Sequence, residues 1–179
     1  MDAARATVQA RGYNALSFRE LAKEVGIKSA SIHYHFPTKG DLGAALARRY
    51  TEEAAIYLDG LLAAFPDPHA CLREYPKVFR AALAHDNRMC LCGIMAAEHH
   101  DLPLAVRTEV DAFTQLNIHW LTKVLALQTP KARPTKATER RAQAIFAAIE
   151  GAQLLARGRG DITLFDQSIE AYRETGLIP

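Results

Sequence analysis

The apolar residues of this chain recur at intervals of three and four, and no stretch alternates for long between apolar and polar positions. Such spacing puts apolar side chains on one face of a helix, whereas alternation would indicate a strand. Ala and Leu dominate the pattern. The sequence therefore predicts an all-α protein.

Helix start and stop signals divide the first residues into short helices. The first helix is predicted over residues 2–11 and ends at Gly12. Ser17 opens the second, where "SFRE" is expected to form a capping box between Ser17 and Glu20. Its predicted buried stripe consists of Phe18, Leu21, Ala22 and Val25.

A third, short helix follows the break at Gly26. Ser29 is expected to cap it, and it must end before Pro37. Longer helices are predicted over residues 38–65, around Tyr75-Pro76 with a kink or break at the proline, and over 88–100, 103–127, 137–157 and 161–175. The 88–100 segment is apolar around nearly its whole circumference and is expected to be central and buried. "TPKARPTK" (129–136) is predicted to be a loop, and Asp161 to cap the last helix.

Composition places the chain among globular proteins of the cytoplasm. Of its 179 residues 49% are hydrophobic, which is ample for a core. No apolar run approaches the ~18 residues of a membrane span, and the first residues do not resemble a secretory signal. Three cysteines are too few for a disulfide framework. We expect no membrane association.

Charge is unevenly distributed along the chain. Residues 1–50 contain eight Lys or Arg against four Asp or Glu, whereas residues 51–179 contain fourteen against sixteen. A basic first segment suits contact with a polyanion, although a difference of a few charges also arises by chance.

The segment "GIKSASIHYHFPTKGDL" (26–42) completes a helix-turn-helix pattern. The second helix of such a pair lies in the major groove of DNA, with its first residues at base edges. Lys28, Ser29, Ala30 and Tyr34 are expected at the groove. Phosphate contacts are expected from Ser31, His33, His35 and Lys39, and from Ser17 and Arg19 at the preceding helix start.

Structural roles are the alternative for some of these residues. His35 could pack at a helix junction, and Lys39 could be an ordinary solvated lysine. Phe36 and Leu42 suit the core better than a contact. A metal site at His33 and His35 is excluded, because side chains two apart on a helix point in different directions.

Residues 2–46 resemble the DNA-binding domain of the TetR family of bacterial transcriptional repressors. The matching pieces are "DAARATVQARGYNALSF", "RELAKEVGI" and "HYHFPTKGDL". The resemblance implies an N-terminal three-helix domain over residues 1–46 and a helical domain over 47–179 that dimerises and binds a small molecule. The family usually has Tyr where this chain has His33.

The apolar row of the long predicted helix offers a ligand site. Val106, Val110, Phe113, Leu121 and Val124 follow helical spacing, with Asn117 among them. A buried amide needs a partner, which could be a ligand, neighbouring backbone or water. The expected ligand-binding residues are Phe79, Met89, Met95, His99, Phe113, Asn117, Trp120 and Phe146, although aromatic and Met residues at this spacing also serve as plain core.

Cys90 and Cys92 raise an alternative, a thiol- or metal-sensing regulator on the same fold. Two positions apart on a helix, they cannot hold one ion without ligands from elsewhere. A thiol switch would need an exposed cysteine with a lowered pKa, and buried structural cysteines also fit the sequence.

Small residues near the C-terminus favour a helix-helix interface with a second copy. The expected interface residues are Ala148, Gly151, Ala152, Leu155, Phe165, Ile169 and Tyr172, and packing within one chain is the alternative.

Together these features predict a homodimeric repressor that binds a pseudo-palindromic DNA operator and is released by a small, largely apolar effector. We expect no cofactor. The sequence contains no nucleophile–base pair at helical spacing, Gly-rich phosphate loop or paired carboxylates on one face, so an enzyme is not predicted.

Overall fold

The computed structural model describes residues 1–128 and 133–179, and every regular element in those residues is helical. The all-α prediction is confirmed. The helices are α1 (Asp2–Arg11), α2 (Phe18–Val25), α3 (Ser29–His35), α4 (Lys39–Ala64), α5 (Pro68–Glu74), α6 (Lys77–Ala84), α7 (Leu91–Ala97), α8 (Leu104–Leu127), α9 (Lys136–Arg159) and α10 (Thr163–Glu174). Single 3₁₀ turns span Tyr13–Ala15 and His99–Asp101. Among the described helices, none has the length and apolar character needed to cross a bilayer.

Two compact units make up the described chain. The first comprises Met1–Glu52 and Cys90–Thr114, and the second comprises Glu53–Met89 and Gln115–Pro179. Helices α4 and α8 each contribute residues to both units. The first unit thus contains α1, α2, α3 and α7, and the second contains α5, α6, α9 and α10.

Local signals set the ends of α1 and α2. Helix α1 ends at Gly12, which has φ 85°, and α2 ends at Gly26, which has φ 76°. The Glu20 amide donates to Ser17 Oγ at 3.4 Å. The Glu20 carboxylate accepts from Arg19 Nε at 3.2 Å, in contrast to the predicted return bond to Ser17.

Two details of the predicted helix pair are corrected. Ser29 is the first residue of α3, and Lys28 occupies the N-cap position without a capping side-chain bond. Leu21 and Ala22 are buried as expected, but Val25 is 55% exposed. Val25 is the last residue of α2, directly before the turn at Gly26, and its side chain stays largely in solvent.

The first unit packs tightly where α4 passes the first 3₁₀ turn. The core residues here include Val8, Tyr13, Leu46 and Val106. A Cβ at Gly43 would lie 2.6 Å from Tyr13 Cε2 and 3.1 Å from Val106 Cγ2. A side chain at position 43 would therefore displace the Tyr13 ring.

In the second unit the predicted break at Tyr75-Pro76 is confirmed. Helix α5 ends at Glu74 and α6 begins at Lys77, because proline supplies no amide and clashes with the preceding turn. The N-cap position of α10 is occupied by Ile162 and not by the predicted Asp161. The Asp161 carboxylate still accepts from the amide of Thr163, the first residue of α10, at 3.0 Å and so satisfies a donor at the helix start.

The segment predicted as one central helix over residues 88–100 is shorter than expected. Only Leu91–Ala97 is α-helical, because Cys90 has a non-helical backbone with φ −48° and ψ 130°. Leu91, Cys92 and Met95 are buried, but Ala96 and Ala97 are exposed, so the helix is not buried all round. Of the predicted 129–136 loop, residues 129–132 lie outside the described residues.

Candidate nucleic-acid interface and regulatory core

Helices α2 and α3 form the predicted helix-turn-helix. They pack against each other, and the Ile27 amide donates to the Ala22 carbonyl at 2.9 Å across the turn at Gly26. The left-handed backbone at Gly26 lets α2 stop and α3 start within a few residues. The turn fixes the direction in which α3 leaves.

Helix α3 presents polar side chains to solvent. It contains no buried residue, and Tyr34 is 84% exposed. Of the predicted DNA contacts, the exposed ones are Arg19, Lys28, Ala30, Ser31, His33, Tyr34 and His35, and the half-buried ones are Ser17, Ser29 and Lys39. A short helix with no core face of its own keeps its side chains available for another molecule.

Two histidines of α3 are held by aromatic contacts. The His33 ring lies 4.5 Å from the Phe18 ring at an interplanar angle of 73°, which ties α3 to the start of α2. The His35 ring lies 5.2 Å from that of Tyr34. Edge-to-face pairs restrain ring orientation, so the imidazoles are positioned as well as exposed.

Lys39 is more constrained than a solvated lysine. Its Nζ donates to the Asn14 carbonyl at 3.0 Å and lies 4.6 Å from the centroid of the Tyr13 ring. Burial lowers the pKa of Lys39, and the carboxylates of Glu98 and Asp101 partly oppose that effect. The cation is thus anchored beside the 3₁₀ turn that precedes α2.

Sequence reasoning missed two carboxylates that hold this turn. Glu98 Oε2 accepts from the Tyr13 amide at 2.5 Å, and Asp101 Oδ2 accepts from Asn14 Nδ2 at 2.7 Å. Gly12 permits the first contact, because a Cβ there would lie 2.5 Å from the Glu98 carboxylate. The partners are 85 and 87 residues apart in sequence, so no local signal could have identified them.

In the second unit, four of the predicted ligand residues lie around Tyr75. The Tyr75 ring lies 5.5 Å from Phe79 and 5.3 Å from Trp120, and Phe79 lies 6.4 Å from Phe146. The Tyr75 hydroxyl donates to Asn117 Oδ1 at 2.8 Å within the core. We call Tyr75, Phe79, Asn117, Trp120 and Phe146 the aromatic cluster. Tyr75 itself was not predicted as a site residue.

Two polar side chains of this core, Trp120 and Gln153, donate hydrogen bonds to backbone carbonyls. Trp120 Nε1 donates to the Leu58 carbonyl at 3.0 Å, and Gln153 Nε2 donates to the Phe79 carbonyl at 2.8 Å. Asn117 accepts from the side chain of Tyr75, a partner that was not among those expected for this amide, which were a ligand, neighbouring backbone or water. Met89 is also buried in this unit.

The other predicted ligand residues belong to the first unit. Met95 and Phe113 are buried, with the Phe113 ring 5.2 Å from Tyr50, whereas His99 is exposed in its 3₁₀ turn. Burial raises the pKa of Tyr50 well above its usual value, and the neighbouring Cys90 and Cys92 add to this rise.

The thiol-sensing alternative needs an exposed cysteine, whereas all three cysteines are buried. None of Cys71, Cys90 and Cys92 forms a disulfide, and burial raises the pKa of Cys71. A buried thiol with a raised pKa carries little reactive thiolate. Within residues 1–128 and 133–179, no three His, Cys, Asp or Glu side chains are grouped so that they could hold a metal ion.

Some of the residues expected at a dimer interface are buried within the single chain, and the others are partly or fully exposed. Ala152, Phe165 and Ile169 are buried within the single chain, because α10 packs on α9. Gly151 and Leu155 are exposed, and Ala148 and Tyr172 are half-buried. The exposed residues lie on the face of α9 opposite to the buried ones, and this face also carries the exposed Leu154.

Known proteins resemble this chain in sequence and in fold. The family model described as "Bacterial regulatory proteins, tetR family" matches residues 1–46. A TetR transcriptional regulator from Legionella pneumophila and a TetR-family transcriptional regulator from Agrobacterium tumefaciens are each 32% identical, with TM-scores of 0.88, over 97% of this chain and 93% of theirs. No curated protein matches the chain by sequence.

A more distant structure shares the fold alone. The transcriptional regulator FadR from Bacillus subtilis, solved in complex with stearoyl-CoA, is 17% identical, with a TM-score of 0.75 over 99% of this chain and 95% of that one.

Proposed function

Because the chain belongs to the TetR family of bacterial transcriptional regulators, we propose that it represses transcription as a homodimer on a pseudo-palindromic operator and is released by a small effector. Its function is regulation of transcription and not catalysis. The observation that carries the proposal is α3, a short helix with no buried residue behind a tight glycine turn. A regulator that binds the bacterial chromosome acts in the cytoplasm.

In this proposal α3 lies in the major groove of the operator. Lys28, Ser29, Ala30 and Tyr34 face the bases, and the small side chains let the helix start approach them closely. Phosphates on either side are bound by the side chains of Ser17, Arg19, Ser31, His33, His35 and Lys39. Two such helices in a dimer meet half-sites about 34–36 Å apart.

The test is fluorescence anisotropy with an operator selected from random duplexes by the full-length protein. Tyr34→Ala should weaken binding at least tenfold without changing the melting temperature, because the side chain is 84% exposed. Lys28→Ala should also weaken binding, and should relax the base preference of the half-site, because it removes a proposed base contact at the start of α3. Lys123→Ala removes an exposed lysine of α8 and serves as the charge-matched control.

Wild-type affinity in both Tyr34→Ala and Lys28→Ala would refute the placement of α3 in the groove. If Lys123→Ala lowered the affinity for operator DNA as much as Lys28→Ala, the overall positive charge of the protein, and not α3, would determine binding.

For the effector we propose the aromatic cluster of the second unit. Its ring faces supply apolar contact area, and the Tyr75–Asn117 pair supplies one hydroxyl and one amide that can exchange their mutual bond for bonds to a ligand. The FadR of Bacillus subtilis carries stearoyl-CoA on the same fold, in keeping with a largely apolar effector. Phe79, Trp120 and Phe146 would provide its walls.

The test of the effector site is a thermal-shift screen of metabolites, repeated with Trp120→Ala. Compounds that stabilise the wild type and release it from operator DNA should lose both effects in this variant. Retention of both effects would place the effector elsewhere.

For the dimer we propose the exposed face of α9. Ala147, Ala148, Gly151, Leu154 and Leu155 recur at helical spacing there, and nothing lies within 4 Å of a Cβ built at Gly151. Small residues let a second α9 approach closely around a two-fold axis. Leucines left 51% and 55% exposed in one chain would be covered by the partner.

Sedimentation of Gly151→Leu tests this interface. The added side chain has space in the isolated chain but not in a close helix contact, so the monomer fraction should rise. Gly60→Leu is the matched control, because Gly60 is also helical and open. A Gly151→Leu protein as dimeric as Gly60→Leu would exclude this face.

A further inference from the structure

A groove of about 250 Å³ opens in the second unit between the α5–α6 segment and α10. It is smaller than the ~300–1,000 Å³ of sites for drug-sized ligands. Its lining includes four cationic side chains, Arg73, Lys77, Arg80 and Arg173, and two carboxylates, Asp166 and Glu170, beside apolar residues such as Pro76 and Ile169. No residue of the aromatic cluster is among its lining, so this groove is distinct from the effector site proposed above.

Two of the four cations already have close carboxylate partners. Arg80 forms a bidentate salt bridge with Asp166, with N–O distances of 2.7 and 2.8 Å. Lys77 Nζ lies 2.6 Å from Glu74 Oε1. Short charge-assisted bonds of this kind satisfy both members, so these side chains frame the groove without requiring a ligand.

Arg173 is bonded much less well. Its Nη1 lies 3.4 Å from Glu170 Oε2 and its Nη2 lies 3.4 Å from the Arg73 carbonyl, both at the long limit for hydrogen bonds. Its Nε is buried and has no hydrogen-bond partner. A buried donor without an acceptor is rare in folded proteins, so the hydrogen-bonding groups of the Arg173 guanidinium are only partly satisfied within the chain.

Arg73 is the second guanidinium on this side of the groove. Its ion pair with Asp67 is long, at 4.0 Å, and its side chain is half exposed. A guanidinium presents its N–H groups in a planar fork that matches the oxygens of a carboxylate or phosphate. Because both guanidinium groups make only long contacts within the chain, both can donate N–H bonds to one shared oxyanion.

We propose that this groove binds a small organic anion, whose carboxylate or phosphate group bonds to Arg73 and Arg173 and whose apolar body lies against Pro76 and Ile169. The oxyanion would give the Nη groups of Arg173 shorter, charge-assisted bonds than the 3.4 Å contacts that they make within the chain. The bound molecule would connect α10 to the α5–α6 segment, and would thereby stabilise this part of the second unit.

Isothermal titration calorimetry of the full chain tests the proposal with four probes: benzoate, phenyl phosphate, inorganic phosphate and benzamide. At least one of the two aromatic anions should bind with saturation, and the tighter one identifies the preferred oxyanion. Inorganic phosphate should bind more weakly than phenyl phosphate because it lacks the apolar body. Benzamide, the neutral analogue of benzoate, should not bind. Absence of saturation by both aromatic anions, or equal binding of benzamide and benzoate, would overturn the proposal.

Two variants locate the site. Arg173→Gln and Arg73→Gln should each weaken the aromatic anion about tenfold or more, the usual effect of losing one bond to a charged group. Arg159→Gln loses the same charge at an exposed position outside the groove and should bind like the wild type. If Arg173→Gln fails to fold, Arg73→Gln decides the result, since its side chain is 51% exposed. Wild-type affinity in the folded groove variants would overturn the assignment.

Discussion

The bond between Tyr75 and Asn117 can be tested by replacing the amide with an apolar side chain of similar size. In Asn117→Leu the Tyr75 hydroxyl, in a residue only 1% exposed, loses the acceptor that lies 2.8 Å away. A buried polar group left without its partner costs about 1–3 kcal/mol, and little cavity term is added because the volumes are similar. For a chain of this length each kcal/mol lowers the melting temperature by about 2–4 °C. The expected loss is therefore roughly 2–12 °C.

A double-mutant cycle separates the hydrogen bond from packing. Tyr75→Phe keeps the ring that packs near Phe79 and Trp120 but removes the hydroxyl. In the Tyr75→Phe/Asn117→Leu double variant both polar groups are gone, and stability should recover toward that of the wild type. Denaturant unfolding at one fixed protein concentration is the assay, since dimerisation makes stability depend on concentration.

Two results would refute this reasoning. One is an Asn117→Leu protein within about 0.5 kcal/mol of the wild type, the range expected for an unremarkable surface change. The other is a double variant less stable than Asn117→Leu alone. Below its melting temperature Asn117→Leu should bind operator DNA like the wild type but respond less to effector, because the amide belongs to the proposed effector site.

Two further predictions concern α4 and the α6–α10 ion pair. Gly43→Ala should destabilise the protein by about 1–3 kcal/mol, because the new Cβ would meet the buried Tyr13 ring at 2.6 Å. Gly60→Ala in the same helix should be neutral or stabilising by up to about 1 kcal/mol, because a Cβ there meets no other atom. Equal melting temperatures of the two variants would contradict this prediction. Arg80 lowers the pKa of Asp166, so the pair stabilises the fold above the usual carboxyl pKa, and that stability is lost as pH falls through the lowered value. Asp166→Asn should therefore be slightly less stable than the wild type at neutral pH and equally stable in acid, and a pH-independent difference in unfolding free energy would contradict this.

Local sequence signals determined the helices and the helix-turn-helix. Spacing by three and four located α1, α4, α8, α9 and α10 to within a few residues. Gly26 and Pro76 act through their own backbone restrictions, so the breaks they cause do not depend on distant residues. The segment "HYHFPTKGDL" could likewise be matched to the TetR family, because its residues are adjacent in sequence and the match needs no distant partner.

The tertiary structure decided which side of each helix became core. The apolar pattern of α10 shows a stripe through Phe165 and Ile169 but not whether α9 of the same chain or a second copy covers it, and in this fold α9 covers it. Likewise the sequence contains Val25 at the spacing of a buried stripe, yet the turn at Gly26 leaves it exposed.

Hydrogen bonds between residues far apart in the sequence could also not be predicted from it. Asn117 could be identified as a polar residue within an apolar row, but its partner Tyr75 lies 42 residues away and carries no matching signal. Glu98 and the Tyr13 amide are 85 residues apart. The amino-acid pattern of a helix specifies that its apolar face must be buried, and only the packing of all the helices determines which donor meets which acceptor there.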